Sequence, residues 1–286
     1  MNTFHVINYD DNLLTIDLDI LTICNYHCWY CYARANKEKW NKIMPIELIR
    51  QVSKKFKLLP FKIDLGILGG EPALHPNLLE IIDIFSEVPN VRDLVVFTNG
   101  LSPKIFKIIE CVRHPERLKI NLSFHPSEVK NLPKFYETVD KLHKTGCLWK
   151  ITIMISKEFE TEINEFMKLT SKYPDVFFEQ TFPVVDGEVD EMNTSLKTEL
   201  LRSFVVDEIA NNPLTYDEVM YQKSNRFKGW KCHLRYFHID VDGEIHENCF
   251  NDRRNILNDD LNTGIKICPF NKCVHDCMLE TLKTKN

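Results

Sequence analysis

The stretch TIDLDILTICNYHCWYC, residues 15–31, joins two patterns in one short run. Thr15 to Thr22 alternates polar and apolar residues with the period of a half-buried strand. Directly after it come Cys24, Cys28 and Cys31, at spacing C-x3-C-x2-C. Three thiolates on one short loop can hold three corners of a [4Fe–4S] cube, whereas most such clusters take four cysteines. The iron left open could chelate a small molecule through an amine and a carboxylate. Zinc is the competing occupant, with His27 as a fourth ligand. However, zinc sites usually pair two separate knuckles, and His27 adjoins Cys28, a poor placement for chelating the same ion.

Strand-like and helical segments alternate downstream. The pattern predicts a helix over 45–58, a strand over 63–68, a helix over 77–85 and a strand over 91–97. Ser102 and Pro103 open a helix to Cys111, followed by a strand over 118–124 and a helix over 132–144 that stops at Gly146. Segments 149–156, 160–171, 176–182 and 196–211 continue as strand, helix, strand, helix. Residues 3–8 and 13–22, split by Asp10-Asp11-Asn12, read as a hairpin or an entering strand. Six strand–helix units imply a parallel sheet with right-handed crossovers. A closed eight-unit barrel needs about 250 residues, so the expected fold is α/β, a partial (β/α)6 TIM-like barrel. The expected division is a barrel over 1–212 and a small Cys-rich extension over 213–286.

The 286 residues carry 36 basic and 41 acidic side chains, a net charge of −5, with both signs interspersed. That balance argues against a large nucleic-acid footprint, which rests on clustered Lys and Arg. No apolar run approaches the ~20 residues of a membrane span. The N-terminus lacks a secretory signal, so a cytoplasmic protein is expected. Ten cysteines in a reducing compartment then point to metal binding or catalysis, because disulfides are rare there.

Further candidates follow the strand ends, the face where barrels build active sites. Gly69-Gly70-Glu71-Pro72 ends the second strand, and its glycines allow close backbone approach to a ligand while carbonyls and Glu71 offer acceptors. Thr98-Asn99-Gly100 ends the third strand, where an ordinary Asn-Gly turn is the plain alternative. Ser123 and His125 end the fourth, and Met154 the fifth. Cys111 and Cys147 stand alone and read as small buried hydrophobes or, less simply, as hydrogen-atom donors. Arg34, just past the cysteine loop, reads as a salt-bridge partner.

The loop, with the aromatic Tyr30 just before its last cysteine, resembles the CX3CX2C signature of the radical S-adenosylmethionine (SAM) superfamily, and GGEP at 69–72 resembles that family's second motif. The resemblance implies one-electron reduction of SAM by a [4Fe–4S] cluster on Cys24, Cys28 and Cys31. The products are methionine and a 5′-deoxyadenosyl radical that takes a hydrogen atom from the substrate. It places Tyr30 beside adenine, and Met154 too where it is not simply a core residue, with Gly69, Gly70, Glu71 and Pro72 at the methionine ammonium, and Thr98, Asn99 and Ser123 near the ribose or carboxylate. It makes His125 a candidate proton donor or substrate ligand.

Near the C-terminus, Cys232, Cys249, Cys268, Cys273 and Cys277 frame FHIDVDGEIHENC, a hairpin turning at Asp242-Gly243. This resembles the SPASM or shorter twitch extension of the same family, which carries auxiliary iron–sulfur clusters. The full extension has seven cysteines for two clusters, and five suit one. Proximity favours Cys249, Cys268, Cys273 and Cys277, with Cys232 the leading alternative. Structural zinc is the rival, with His233, His246 or His275 then available.

These resemblances imply a radical SAM enzyme acting on a ribosomally made peptide, by epimerisation, cross-linking or thioether formation. The alternative is radical oxidation or rearrangement of a small molecule such as a sugar or nucleotide. A flavodoxin- or ferredoxin-type donor and a separate peptide-delivery protein are the partners implied, since the motif begins too early for a peptide-recognition domain ahead of it. A cobalamin-dependent methylase is not expected, because no cobalamin-binding domain is read ahead of the barrel. A non-catalytic zinc protein would not need both motifs. Replacing any of Cys24, Cys28 or Cys31 with alanine is expected to abolish reductant-dependent 5′-deoxyadenosine formation and to lower anaerobic iron content by about four per chain, read by chromatography and iron analysis.

Overall fold

Alternation along residues 13–21 puts Leu14, Ile16, Leu18 and Ile20 on one side of the strand, fully buried, and Thr15, Asp17 and Asp19 on the other. A computed structural model repeats this division strand after strand. It describes residues 3–4, 10, 12–31, 41–154, 157–168, 170–181, 184–185, 188–189, 227–246, 254–261, 263–271 and 282–284.

In chain order, β1 (Thr3–Phe4) and β2 (Leu13–Leu21) precede α1 (Ile46–Lys57) and β3 (Lys62–Gly69). Then come α2 (Leu78–Ser86), β4 (Val91–Thr98), α3 (Lys104–Cys111) and β5 (Leu118–Phe124). They are followed by α4 (Leu132–Lys144), β6 (Leu148–Met154), α5 (Glu160–Met167) and β7 (Phe177–Thr181). Two short strands, β8 (Val184–Val185) and β9 (Glu188–Val189), pair with each other. The C-terminal part adds β10 (Lys231–His233), β11 (Tyr236–Ile239), β12 (Glu244–His246), β13 (Arg254–Asn255), β14 (Ile265–Ile267) and β15 (Leu282–Thr284).

Strands β2 to β7 lie in chain order as parallel neighbours, each step crossing over through a helix. These are the six parallel strands of the expected partial barrel. The expected sixth helix, over 196–211, lies outside the described residues. The helices pack their apolar stripes on the aliphatic side of the sheet: Ile49, Val52 and Phe56 from α1, Ile81, Ile82 and Phe85 from α2, and Ile105 and Ile108 from α3 are buried there. Asn131 caps α4 by accepting from Lys134 N at 3.1 Å, and Gly146, at φ 74°, ends it as its position suggested. No helix among the described residues is long and apolar enough to cross a membrane.

Two arrangements differ from the sequence reading. The first strand does not form a hairpin with β2; Thr3–Phe4 pairs antiparallel with β15, far along the chain. The second is the hairpin over β11 and β12, which turns at Gly243 (φ 79°) as expected but does not stand apart. Its strand β11 pairs parallel with β2, so the barrel sheet extends as β13-β12-β11-β2. Alternation alone says nothing about which edge a strand will seek. The exposed flank of β2 and the matched runs Thr15–Leu18 and Tyr236–Ile239 supply the reason.

Phe124 at the end of β5 is fully buried, 4.5 Å from the Phe166 ring and 5.0 Å from Phe135. It ties β5 to α4 and α5. Phe124→Ala is expected to cost about 3–5 kcal/mol of unfolding free energy, measured by denaturant titration.

Candidate active site

Strand β2 ends at Leu21, and the three cysteines follow within ten residues on a loop at the C-terminal end of the barrel sheet. Directly beside it β3 ends in Gly69, and the two segments lock together: Gly70 N donates to Leu21 O and Glu71 N to Ile23 O, both at 2.8 Å. Here the glycines have an observed purpose. Gly69 sits at φ 118°, and a Cβ on it would stand 2.0 Å from Leu21 O; one on Gly70 would stand 2.0 Å from Ile23 O. The close approach they permit is to the neighbouring strand's backbone.

Glu71 turns inward and is 1% exposed. One carboxylate oxygen accepts from Thr98 Oγ1 (2.6 Å) and Ala73 N (3.0 Å), the other from Asn99 N (2.7 Å). Burial pushes its carboxyl group upward, opposed by those three donors. The carboxylate therefore clasps the end of β4 rather than standing open as an acceptor. Pro72 is buried at the start of the short turn 72–74. Asn99 carries the connection onward: its Nδ2 donates to Asn25 Oδ1 at 2.8 Å, between Cys24 and Cys28.

One cavity of about 240 Å³ lies over these strand ends. It is lined by Cys24, Cys28 and Cys31, by Tyr30, by Gly69 to Glu71, by Thr98 and Asn99, and by Ser123, His125 and Met154. Residues from five consecutive strand ends reach a single hollow, which requires a concave sheet. Of the residues expected from the cysteine loop and the strand ends, only Pro72 does not line it. Sequence reasoning missed Thr22, Tyr26, Leu68 and Phe97. Tyr26 carried a signal, as an aromatic inside the cysteine spacing.

Burial pushes the Cys28 thiol up to about 12, with the charges of Cys31 and Cys24 adding to the rise and a hydrogen bond from Tyr30 opposing it. Three sulfur donors that repel one another in a half-enclosed hollow are the donor set a cationic iron centre relieves. The residues fit a three-cysteine cluster with one open iron. Beside them the Tyr30 ring stacks on His125 at 5.9 Å, with Tyr30 Oη and His125 Nδ1 2.9 Å apart, while Tyr26 meets His125 edge-on.

Cys111 and Cys147 are not brought to this site. Cys111 is exposed at the end of α3, and Cys147 is buried just before β6, at the opposite end of the strands. His27 is exposed and faces a separate hollow with Asn25, Lys130 and Lys134. Arg34 lies outside the described residues.

Of the five C-terminal cysteines, Cys249, Cys273 and Cys277 lie outside the described residues. Cys232 and Cys268 are both buried, and their thiols hydrogen-bond. That contact, a backbone donor at Phe270 and the charge of Lys283 pull the Cys268 thiol down to about 6. His233, next to Cys232 on β10, points to the other face of its strand, and His246 is held 2.8 Å from Asp240 Oδ2. His275 lies outside the described residues.

Burial alone lowers the His125 imidazole from 6.5 to about 4. Above pH 6.5 the ring is neutral in folded and unfolded chains alike. As pH falls toward 4 the unfolded chain takes up the proton first, so stability drops, by roughly 3 kcal/mol at the lower limit. Denaturant midpoints of the metal-free protein measured from pH 7 to 4.5 are expected to show this slope, and His125→Gln is expected to flatten it.

The Radical SAM superfamily model matches residues 18–170, over half of the chain. GTP 3′,8-cyclase of Pectobacterium atrosepticum is 35% identical over 86 residues, covering 29% of this chain and 26% of that protein. The enzyme of that name from Clostridium acetobutylicum is 26% identical over 196 residues, covering 62% and 58%. The chain thus spans less than two thirds of the length of these curated relatives. Among solved structures, anSMEcpe with bound AdoMet aligns with a TM-score of 0.63 at 17% identity, over 86% of this chain and 78% of that one. The same protein with AdoMet and the Cp18Cys peptide aligns at 0.61; at such identity the likeness is one of fold. With its three cysteines, glycine turn and strand ends gathered on one cavity, and more than half its length matched, this chain belongs to the Radical SAM superfamily.

Proposed function

We propose that this protein reductively cleaves SAM and abstracts a hydrogen atom from a substrate. The observation that carries the reading is the convergence of Cys24, Cys28 and Cys31 with Gly69 to Glu71, Asn99 and Tyr30 on one cavity. A [4Fe–4S] cluster on those cysteines would supply the electron that splits SAM into methionine and a 5′-deoxyadenosyl radical. The chain's own residues do the rest. Glu71 fixes the end of β4 so that Asn99 meets the cysteine loop. Backbone carbonyls of the glycine turn are the acceptors left for an ammonium. Tyr30, locked to His125, offers a ring for adenine, and Phe97, Leu68 and Met154 keep water from the hollow.

The C-terminal cysteines are read as one auxiliary iron–sulfur site, and the contact of Cys232 with Cys268 supports placing both in it. That contact favours Cys232, the leading alternative, as one of the ligands. Zinc on the same thiolates is the rival occupant. Lys130 and Lys134, beside the hollow at Asn25 and His27, give an acidic flavodoxin- or ferredoxin-type donor a basic footing near the cluster loop. A cytoplasmic site of action agrees with thiolate chemistry of this kind.

For the substrate, the leading reading is a peptide. The likeness in fold to anSMEcpe with the Cp18Cys peptide, over 86% of this chain, supports it. A nucleotide is the second reading, favoured by the relatives named GTP 3′,8-cyclase. Anaerobically reconstituted protein with dithionite and SAM is expected to form 5′-deoxyadenosine. A Cys-containing peptide should raise the yield severalfold and GTP should not. No 5′-deoxyadenosine under any condition would refute the radical reading, and stimulation by GTP alone would reverse the order of substrates.

A further inference from the structure

The small C-terminal sheet runs β1-β15-β10-β14, with β10 between two antiparallel neighbours. Its register sets Cys232 directly opposite Lys266 on β14 and directly opposite Lys283 on β15. Residues facing each other across an antiparallel pair share a face, with Cβ atoms about 5 Å apart. Cys232 is therefore flanked on its own face by two ammonium-bearing side chains. Cys268 follows β14 and continues its ladder, donating from its backbone to Trp230 O at 2.8 Å. Alternation returns it to the same face, where its sulfur meets Cys232.

This face is an interior one. Cys232, Cys268 and Lys283 are 5%, 2% and 1% exposed. Lys283 Nζ lies 5.2 Å over the Phe227 ring, which packs edge-on against Trp230. Lysine is almost never fully buried without compensating negative charge. The two thiols beside it add negative charge when they ligate a metal centre, since thiolate is the ligating form. On the opposite face of β14, Ile265 and Ile267 are exposed. An apolar pair outside and a lysine inside is the reverse of an ordinary sheet, and it singles out the inner face as built around anions.

We propose that Lys283, with Lys266 beside it, is a potential-setting residue of the C-terminal thiolate site, raising the reduction potential of an iron–sulfur cluster held by Cys232 and Cys268. The inference rests on the reading of that site as an iron–sulfur centre. Each one-electron reduction adds a negative charge to the cluster. A buried ammonium at short range stabilises the reduced state more than the oxidised one, in surroundings that screen weakly.

The test is a redox titration by electron paramagnetic resonance on the full chain, reconstituted anaerobically. Cys24, Cys28 and Cys31 are replaced by alanine so that only the C-terminal cluster reports. Lys283→Met, close in shape but uncharged, is expected to shift the reduction equilibrium at least tenfold toward the oxidised form, about 59 mV downward. Lys283→Arg should stay near the parent value. Iron and sulfide counts equal to the parent's show that the site is still loaded. A loaded Lys283→Met protein that titrates like its parent overturns the proposal. If that variant loses its cluster, Lys266→Met takes its place: a fall in potential supports the proposal and an unchanged value overturns it. Zinc in place of iron in the parent protein refutes the underlying reading instead, and the metal count tells the two failures apart.

Discussion

A single buried carboxylate organises the active end of this molecule. Glu71 receives donors from the end of β4 and from its own turn, while its backbone is bonded to Ile23, one residue before the first cysteine. Two successive barrel strands and the cysteine loop thus converge on one side chain. The neighbouring glycines are required by the same geometry, because a Cβ at either would overlap a carbonyl of Leu21 or Ile23. A buried carboxylate losing one of its donors keeps the desolvation cost without the compensation. The arrangement is consequently rigid, and the cavity inherits that rigidity.

The barrel was legible in the sequence because its signals are local. Strand β5 falls on the expected 118–124, and α4 on 132–144, the latter marked by a cap and a glycine stop. That the cysteine loop, the glycine turn and the later strand ends would share one cavity was legible too, since barrel strand ends share one face and motifs at successive ends must meet. Helix α5 ends at Met167, short of the expected Ser171, and a separate 3-10 turn lies at Thr170–Lys172. Long-range pairing was not legible. Nothing in Thr3–Phe4 names β15 as its partner, and nothing in Tyr236–Ile239 announces β2. Those choices depend on which edges remain open after the barrel forms. Glu71 is a subtler case: its motif located it correctly, but its partners depend on a contact with β4 that spacing alone does not reveal.

The attachment of β11 to β2 has a chemical consequence on the concave side of the sheet. His238 on β11 reaches Asp19 on β2, its Nε2 3.0 Å from the carboxylate. Burial pulls the imidazole down, but Asp19, with Asp17 and Asp240 nearby, more than offsets it and holds the ring above its ordinary value. Tyr236 from the same strand donates to Asp17 at 2.7 Å. The C-terminal part therefore extends the barrel sheet past β2, and Tyr236 and His238 touch Asp17 and Asp19 on its concave side.

The concave face of this barrel is partly polar rather than filled with apolar side chains. A TIM barrel normally packs its interior with layers of Val, Ile and Leu. Here most of the aliphatic residues face the helices, and the concave positions hold Asp17, Asp19, Asn121, Ser123 and Thr152 beside Leu68, Phe97 and Met154. Thr152 donates to Asn121 Oδ1 at 3.0 Å, yet Asn121 Nδ2 and Asp19 Oδ1 are buried without a protein hydrogen bond. Orphaned polar atoms carry a cost that an apolar filling would avoid. Asp19 is in register with Leu68 and Asn121 with Phe97, so that cost falls beside two residues that line the cavity.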